Sequence, residues 1–164
     1  MDGKAWPGDW KPKDPIAPPI AQGERLQTYT GQCHCDAVQY AFNSIPLNEI
    51  EVCRCDCSYD IRMGQLTAYI PHTHISFSGL SNTTIYTGVG YGQGKHLFCS
   101  TCGCYVGVDT KGLVVPEEQA KYMPPDVLEN LKKFPVNLRL LNGELDEKKL
   151  KIKEEKNSGN YSVE

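Results

Sequence analysis

Cys33-His34-Cys35 and Phe98-Cys99-Ser100-Thr101-Cys102-Gly103 decide the fold of this chain. Each holds a close pair of thiols, and a soft-leaning dication such as zinc takes thiolates from two short segments at little cost in local loop closure. Cys33 and Cys35 with Cys99 and Cys102 make a full four-thiolate set, closed over a long stretch of chain. Gly31 and Gly103 flank the pairs and let the backbone turn around a metal. Between them, Cys53-Arg54-Cys55-Asp56-Cys57 forms a second and incomplete set. An incomplete thiolate set is how a metal keeps a position open for a substrate.

The remaining composition narrows the class. The chain has 164 residues, which suits one domain with a hydrophobic core. Its net charge of -3 gives no sign of a nucleic-acid or membrane-surface binder. No apolar run approaches the roughly 18 residues of a membrane span, and the first 23 residues lack the apolar stretch of a secretory signal. Eight cysteines in that context point to a reducing, cytoplasmic compartment and to metal binding. A disulfide framework is the competing reading, but Cys-x-Cys neighbours pair poorly with each other. Whether the chain forms a homo-oligomer stays open.

Residues 1–23 carry Pro7, Pro12, Pro15, Pro18 and Pro19, too many for regular structure, and read as an extended arm with Trp6 and Trp10 as anchors. The domain proper is expected over 24–153, with a charged, solvated tail over 154–164. Short strands rich in Val, Ile, Tyr and Thr are predicted at 36–43, 50–55, 66–70, 75–78, 83–87, 96–99, 105–109 and 136–141. One short helix is predicted near 125–133, with Asp126 in its first turn. Residues 87–94 read as a Gly-rich connection; no Gly-Lys-Ser/Thr follows to make it a phosphate loop. The expected fold is mainly β, short-stranded and held together by zinc.

Several ordered motifs resemble the glutathione-dependent formaldehyde-activating enzyme family, which includes the centromere protein V relatives. That family runs Gly-x-Cys-x-Cys-Gly-x-Val, then Cys-x-Cys-Ser-x-Cys-x-Lys/Arg-x-Gly, then Phe-Cys-x-x-Cys-Gly. Here the three elements read Gly31-Gln32-Cys33-His34-Cys35-Asp36-Ala37-Val38, Cys55-Asp56-Cys57-Ser58-Tyr59-Asp60-Ile61-Arg62-Met63-Gly64, and Phe98-Cys99-Ser100-Thr101-Cys102-Gly103. Phe77-Ser78-Gly79, Tyr86-Thr87-Gly88 and Val136-Asn137-Leu138-Arg139-Leu140-Leu141 are similar to later family elements, so the likeness spans about 25–153.

The resemblance implies a β-tent fold and two zinc ions. One is structural, on Cys33, Cys35, Cys99 and Cys102; the other is catalytic, on three cysteines facing a glutathione site. It also implies a carbon–sulfur lyase that joins or separates glutathione, as co-substrate, and a carbonyl carbon. Its small-molecule substrate would be a glutathione conjugate or a carbonyl compound. Carry-over gives Cys55 and Cys57 for the second zinc, but the third cysteine is replaced by Asp60. Three readings stay open. Asp60 ligates through a carboxylate oxygen; or Cys53 substitutes, being on the strand face shared by 55 and 57; or the metal is lost and Asp60 serves as acid or base. His96 alternates with Leu97 and is a candidate pocket residue, and Arg62 and Lys95 are candidates for a glutathione carboxylate. His34 is expected at the surface, Cys104 as a small buried apolar group, and His72 and His74 in a loop after Pro71. The alternative function is a non-catalytic zinc module for structure or protein interaction.

Overall fold

The computed structural model describes residues 25–87, 94–143 and 145–156. The proline-rich arm, most of the Gly-rich connection and the last eight residues lie outside the described residues.

Among the described residues ten strands form two sheets. The smaller has the order β1-β2-β5, built from Gln27–Gln32, Gln39–Ser44 and Ile75–Ser78. Its central strand β2 is buried along its whole length, because β1 and β5 both pair with it antiparallel. The larger sheet has the order β10-β3-β4-β9-β8-β7-β6. Its strands are β3 (Glu51–Cys55), β4 (Thr67–Pro71), β6 (Thr83–Tyr86), β7 (Lys95–Cys99), β8 (Tyr105–Asp109), β9 (Lys133–Asn137) and β10 (Lys151–Glu155). All its pairings are antiparallel except β10 against β3.

The sheets are joined through their buried faces. Tyr40 on β2 is fully buried, and its hydroxyl donates to the Asn137 carbonyl at 2.9 Å. Phe77 on β5 packs on Phe134 of β9, with ring centroids 4.8 Å apart. Gly31 bridges Leu141, and a side chain at Gly31 would run into the Tyr40 ring. Burial of Val38, Phe42, Val52, Leu66, Val106 and Val136 completes the core, at about 25 cal/mol for each Å² of apolar surface removed from water.

Mainly β architecture is the observed fold, and the elements differ from expectation at several places. Among the described residues there are three short α-helices rather than one: α1 (Ser58–Met63), α2 (Glu117–Ala120) and α3 (Pro125–Asn130). The helix expected to run to 133 stops at Asn130 because the chain turns there into β9. The strand expected at 36–43 begins only at Gln39, since 33–38 form the turn between β1 and β2. The strand expected at 136–141 is β9, shifted toward the N-terminus, followed by a 3-10 turn over Leu138–Leu140. Two strands were not anticipated, β1 and β10, and β10 takes in Glu154 and Glu155 from the stretch read as tail. Among the described residues no helix is long and apolar enough to cross a membrane.

Asn137 is the polar hinge of this core. It is 3% exposed, donates from Nδ2 to the Tyr105 carbonyl at 3.1 Å, and accepts at Oδ1 from Leu66 N–H (3.3 Å) and Arg139 N–H (3.2 Å). Asn137→Ala strands those backbone groups, at about 1–3 kcal/mol each. Urea unfolding of Asn137→Ala should show a loss of about 3 kcal/mol; an unchanged midpoint would mean water replaces the side chain.

Candidate functional site

The four-thiol cluster is built by two turns facing each other. In the first, Cys33 N–H donates to the Val38 carbonyl (2.9 Å) and Asp36 N–H to the Cys33 carbonyl (3.1 Å). Asp36 takes a left-handed conformation, φ 63°, at the position where the family pattern has glycine. In the second, Gly103 at φ 74° donates to the Cys99 carbonyl (2.9 Å), and Cys99 N–H donates to the Cys104 carbonyl (2.9 Å). These turns bring the sulfurs of Cys33, Cys35, Cys99 and Cys102 within 4.8 Å of one another. Cys33 Sγ lies 3.6 Å from Cys35 Sγ, which lies 3.5 Å from Cys99 Sγ. A tetrahedron with Zn–S near 2.3 Å has edges of about 3.8 Å, so the arrangement fits that ion.

The electrostatics point the same way. Burial pushes the Cys33 thiol up to about 12, so a bare thiolate there is unfavourable and the group is either a neutral thiol or a thiolate paired with a cation. At Cys102 burial is outweighed by the N–H groups of Cys104 and Cys35, and the thiol falls to about 6. Cys104 is half-buried, and its sulfur accepts the N–H of His34 at 3.5 Å, tying the two turns together. His34 itself is exposed. All eight cysteines are free thiols.

The second cluster forms where β3 runs into α1. Cys55 is the last residue of β3, Cys57 caps α1, and Asp60 sits in its first turn. Cys57 Sγ accepts Asp60 N–H at 3.3 Å, and Cys55 Sγ accepts Cys57 N–H at 3.4 Å. Gly64 then ends the helix in the left-handed region, φ 60°. The result places ligand atoms of Cys55, Cys57 and Asp60 within 4.8 Å of one another. Burial raises the Asp60 carboxyl; donors from Cys55 and Cys57 oppose that, and the nearby Glu155 charge adds to it. Cys53 is buried, which pushes its thiol up, and it faces Glu155 and Tyr69 rather than joining that cluster.

Two thiols and one carboxyl with a fourth side open suit a zinc that keeps a position for substrate. A cleft of about 220 Å³ opens on that side, lined by Cys55, Asp60, Arg54, Asp56, Ile61, Gly64, Gln65, Arg139 and Glu154.

The structure distributes the other sequence candidates differently. Arg62 does not line this cleft; its Nη1 donates at 2.6 Å to the Ser58 carbonyl on its own helix. Lys95 is exposed at the start of β7 and lies outside it as well. His96 is buried in an aromatic set, with its ring 4.6 Å from Tyr59 and Nδ1 3.4 Å from the Tyr105 hydroxyl. Burial raises the Tyr59 and Tyr105 hydroxyls, so both stay protonated at neutral pH. His72 hydrogen-bonds Thr110 at 2.9 Å, apart from either cluster. The cations that do line the cleft are Arg54 and Arg139, which sequence reasoning did not single out as site residues. The motif Val136-Asn137-Leu138-Arg139 was a usable signal, since buried Asn137 fixes the Arg139 backbone.

Comparison with known proteins bears on this geometry. The model of the family "Glutathione-dependent formaldehyde-activating enzyme" matches residues 28–122, more than half of the chain. The chain belongs to that family. A solved structure of a Rhodobacter sphaeroides protein, a structural-genomics target, is similar over 73% of this chain and 92% of its own, at 26% identity and a TM-score of 0.53. No curated protein matches the chain.

The four-thiol cluster generates the second prediction. A structural zinc contributes about 10–16 kcal/mol, as much as the whole net stability of a domain, about 5–15 kcal/mol. Cys102→Ser should therefore lose one zinc per chain and unfold, read by elemental analysis and circular dichroism. A Cys102→Ser protein that lacks that zinc but melts like the wild type would refute the assignment.

Proposed function

We propose that this member of the glutathione-dependent formaldehyde-activating enzyme family makes or breaks the bond between the glutathione sulfur and a carbonyl-derived carbon. One observation carries the reading: the ligand atoms of Cys55, Cys57 and Asp60 lie within 4.8 Å of one another, and two of these residues, Cys55 and Asp60, line the cleft. Asp60 takes the place of the third donor. The adduct R–S–CH(OH)–R′ separates into a thiol and an aldehyde without redox change. The carbon–sulfur electron pair leaves with sulfur, the hydroxyl loses its proton, and sulfur gains one.

Cys55, Cys57 and Asp60 would hold a zinc ion, which when bound would supply an ionised thiol at neutral pH and a polarised carbonyl. The chain's own residues do the rest. The end of β3 and the first turn of α1 hold the donors in place through the Cys57–Asp60 and Cys55–Cys57 backbone contacts. A carboxylate donates less charge than a thiolate, which makes the centre harder than an all-cysteine one and favours carbonyl polarisation. Tyr59 leaves α1 toward His96 and Tyr105 and anchors the helix on β7 and β8. Eight free thiols accord with a reducing, cytoplasmic location.

Cys57→Ala should keep the fold yet release no thiol from glutathione adducts, since an open site stabilises less than a closed one. If it unfolds like Cys102→Ser, the cluster is structural and the non-catalytic zinc module becomes the better reading. Asp60→Cys should hold the second zinc more tightly, since a third thiolate suits it better. Its turnover should fall by about a hundredfold, the scale of losing a tuned proton-handling or hard ligand group. Unchanged metal content and unchanged turnover together would remove Asp60 from the site.

A further inference from the structure

The cleft beside Cys55 and Asp60 carries a charge pattern that the two metal clusters do not use. Arg54 and Arg139 both line it, and one carboxylate already sits between their guanidiniums. Glu147 Oε2 takes Arg54 Nη2 at 2.6 Å and its Oε1 takes Arg139 Nη1 at 2.8 Å. Glu147 is itself two-thirds buried and fixes the pair from behind. On the cleft side, Glu154 Oε1 holds Arg54 Nη1 at 2.9 Å. Glu154 is 57% exposed, so that contact contributes little and exchanges readily. Asp56 adds a further carboxylate to the lining.

We propose that this cleft is a subsite for an α-amino acid zwitterion, the γ-glutamyl end of the substrate, with its carboxylate on Arg139 and Arg54 and its ammonium on Glu154. This rests on the glutathione reading above and goes beyond it by assigning which end binds where. A guanidinium offers five donors in a planar fork, so Arg139, held by Glu147 through Nη1, keeps a second face for an incoming carboxylate. As that carboxylate reaches Arg54, Glu154 exchanges its partner for the substrate ammonium and charge stays balanced. The volume agrees: about 220 Å³ is below the roughly 300 Å³ of pockets that engulf whole drug-sized ligands, and suits one amino-acid-sized end. Cys55 and Asp60 line the same cleft, so the thiol of the same molecule can reach toward them. Arg139 and Glu154 both fall outside the residues 28–122 matched by the family model.

The test uses the zinc-loaded full chain and calorimetry with γ-glutamyl-2-aminobutyryl-glycine, a glutathione isostere without sulfur. Amidating its γ-glutamyl α-carboxylate should weaken binding to the wild type by about tenfold to a hundredfold, the worth of a charged hydrogen-bond contact. In Arg139→Gln the isostere and its amide should bind equally weakly, and Arg139→Lys should restore part of the difference. In Glu154→Gln the penalty for removing the ligand's α-amine should vanish. The amide comparison in the wild type needs no variant to fold. Equal binding of isostere and amide by the wild type overturns the proposal, as does glutathione binding with no binding of the isostere. If instead the isostere behaves as expected but Cys57→Ala still turns over, the subsite stands and the catalytic reading of the second cluster falls.

Discussion

Four thiols drawn from two sheets are the constraint on which the rest of this structure depends. Cys33 and Cys35 lie in the β1–β2 turn of the small sheet, and Cys99 and Cys102 at the β7–β8 turn of the large one. Closing so long a stretch of chain costs entropy that grows only slowly with length, while each thiolate bound to zinc adds folding energy outright. Burial pushes the Cys33 thiol up to about 12, which disfavours a bare thiolate where the two sheets meet. Every strand that positions the second cluster belongs to the large sheet, and the four-thiol cluster locks that sheet against the small one.

The cysteine framework was legible because metal-ligand spacing is a local property. Cys-x-Cys and Cys-x-x-Cys announce turns around an ion whatever the rest of the fold does, and Cys33, Cys35, Cys99 and Cys102 do come together, while Asp60 beside Cys55 and Cys57 was a candidate through the family resemblance and not through spacing. What escaped was structure that owes its existence to distant partners. α1 is six residues long, too short to show apolar periodicity, and stands because Cys57 caps it and Gly64 ends it. β10 reads Lys-Ile-Lys-Glu-Glu, a composition of solvated tails. It is a strand because it pairs in parallel with β3 and Lys153 reaches Asp126 at 3.0 Å. β1 begins with Gln, Thr and Tyr at a half-exposed edge, where alternation is weak.

The cations that line the cleft were not legible for a related reason. Arg62 stands inside a family-like motif, yet its helix turns it back onto Ser58. Arg139 is distant in sequence from the second cluster and arrives at the cleft because Asn137 pins the backbone between β9 and the following 3-10 turn. Arg54 lies between cysteines, and its place at the cleft depends on Glu147 and Glu154, which only the long return of the chain brings near.

That return divides the labour of the molecule. The residues of the two clusters that could hold a metal fall within the segment that matches the family, 28–122. The groups that tune the surroundings of the second cluster come from beyond it. Glu155 on β10 adds negative charge behind Asp60, pushing its carboxyl further up and facing Cys53. Its neighbour Glu154 faces the cleft and pairs with Arg54. Adjacent residues of a strand point to opposite sides of a sheet, so this one pair reaches the buried side of the site and its open mouth at once. A buried carboxyl with another acid behind it favours a bound cation or a proton over a bare charge. Asp60 and β10 at the sheet edge are therefore parts of one electrostatic arrangement: burial raises the Asp60 carboxyl, and Glu155 on β10 raises it further, so that a proton or a cation is favoured there over a bare charge.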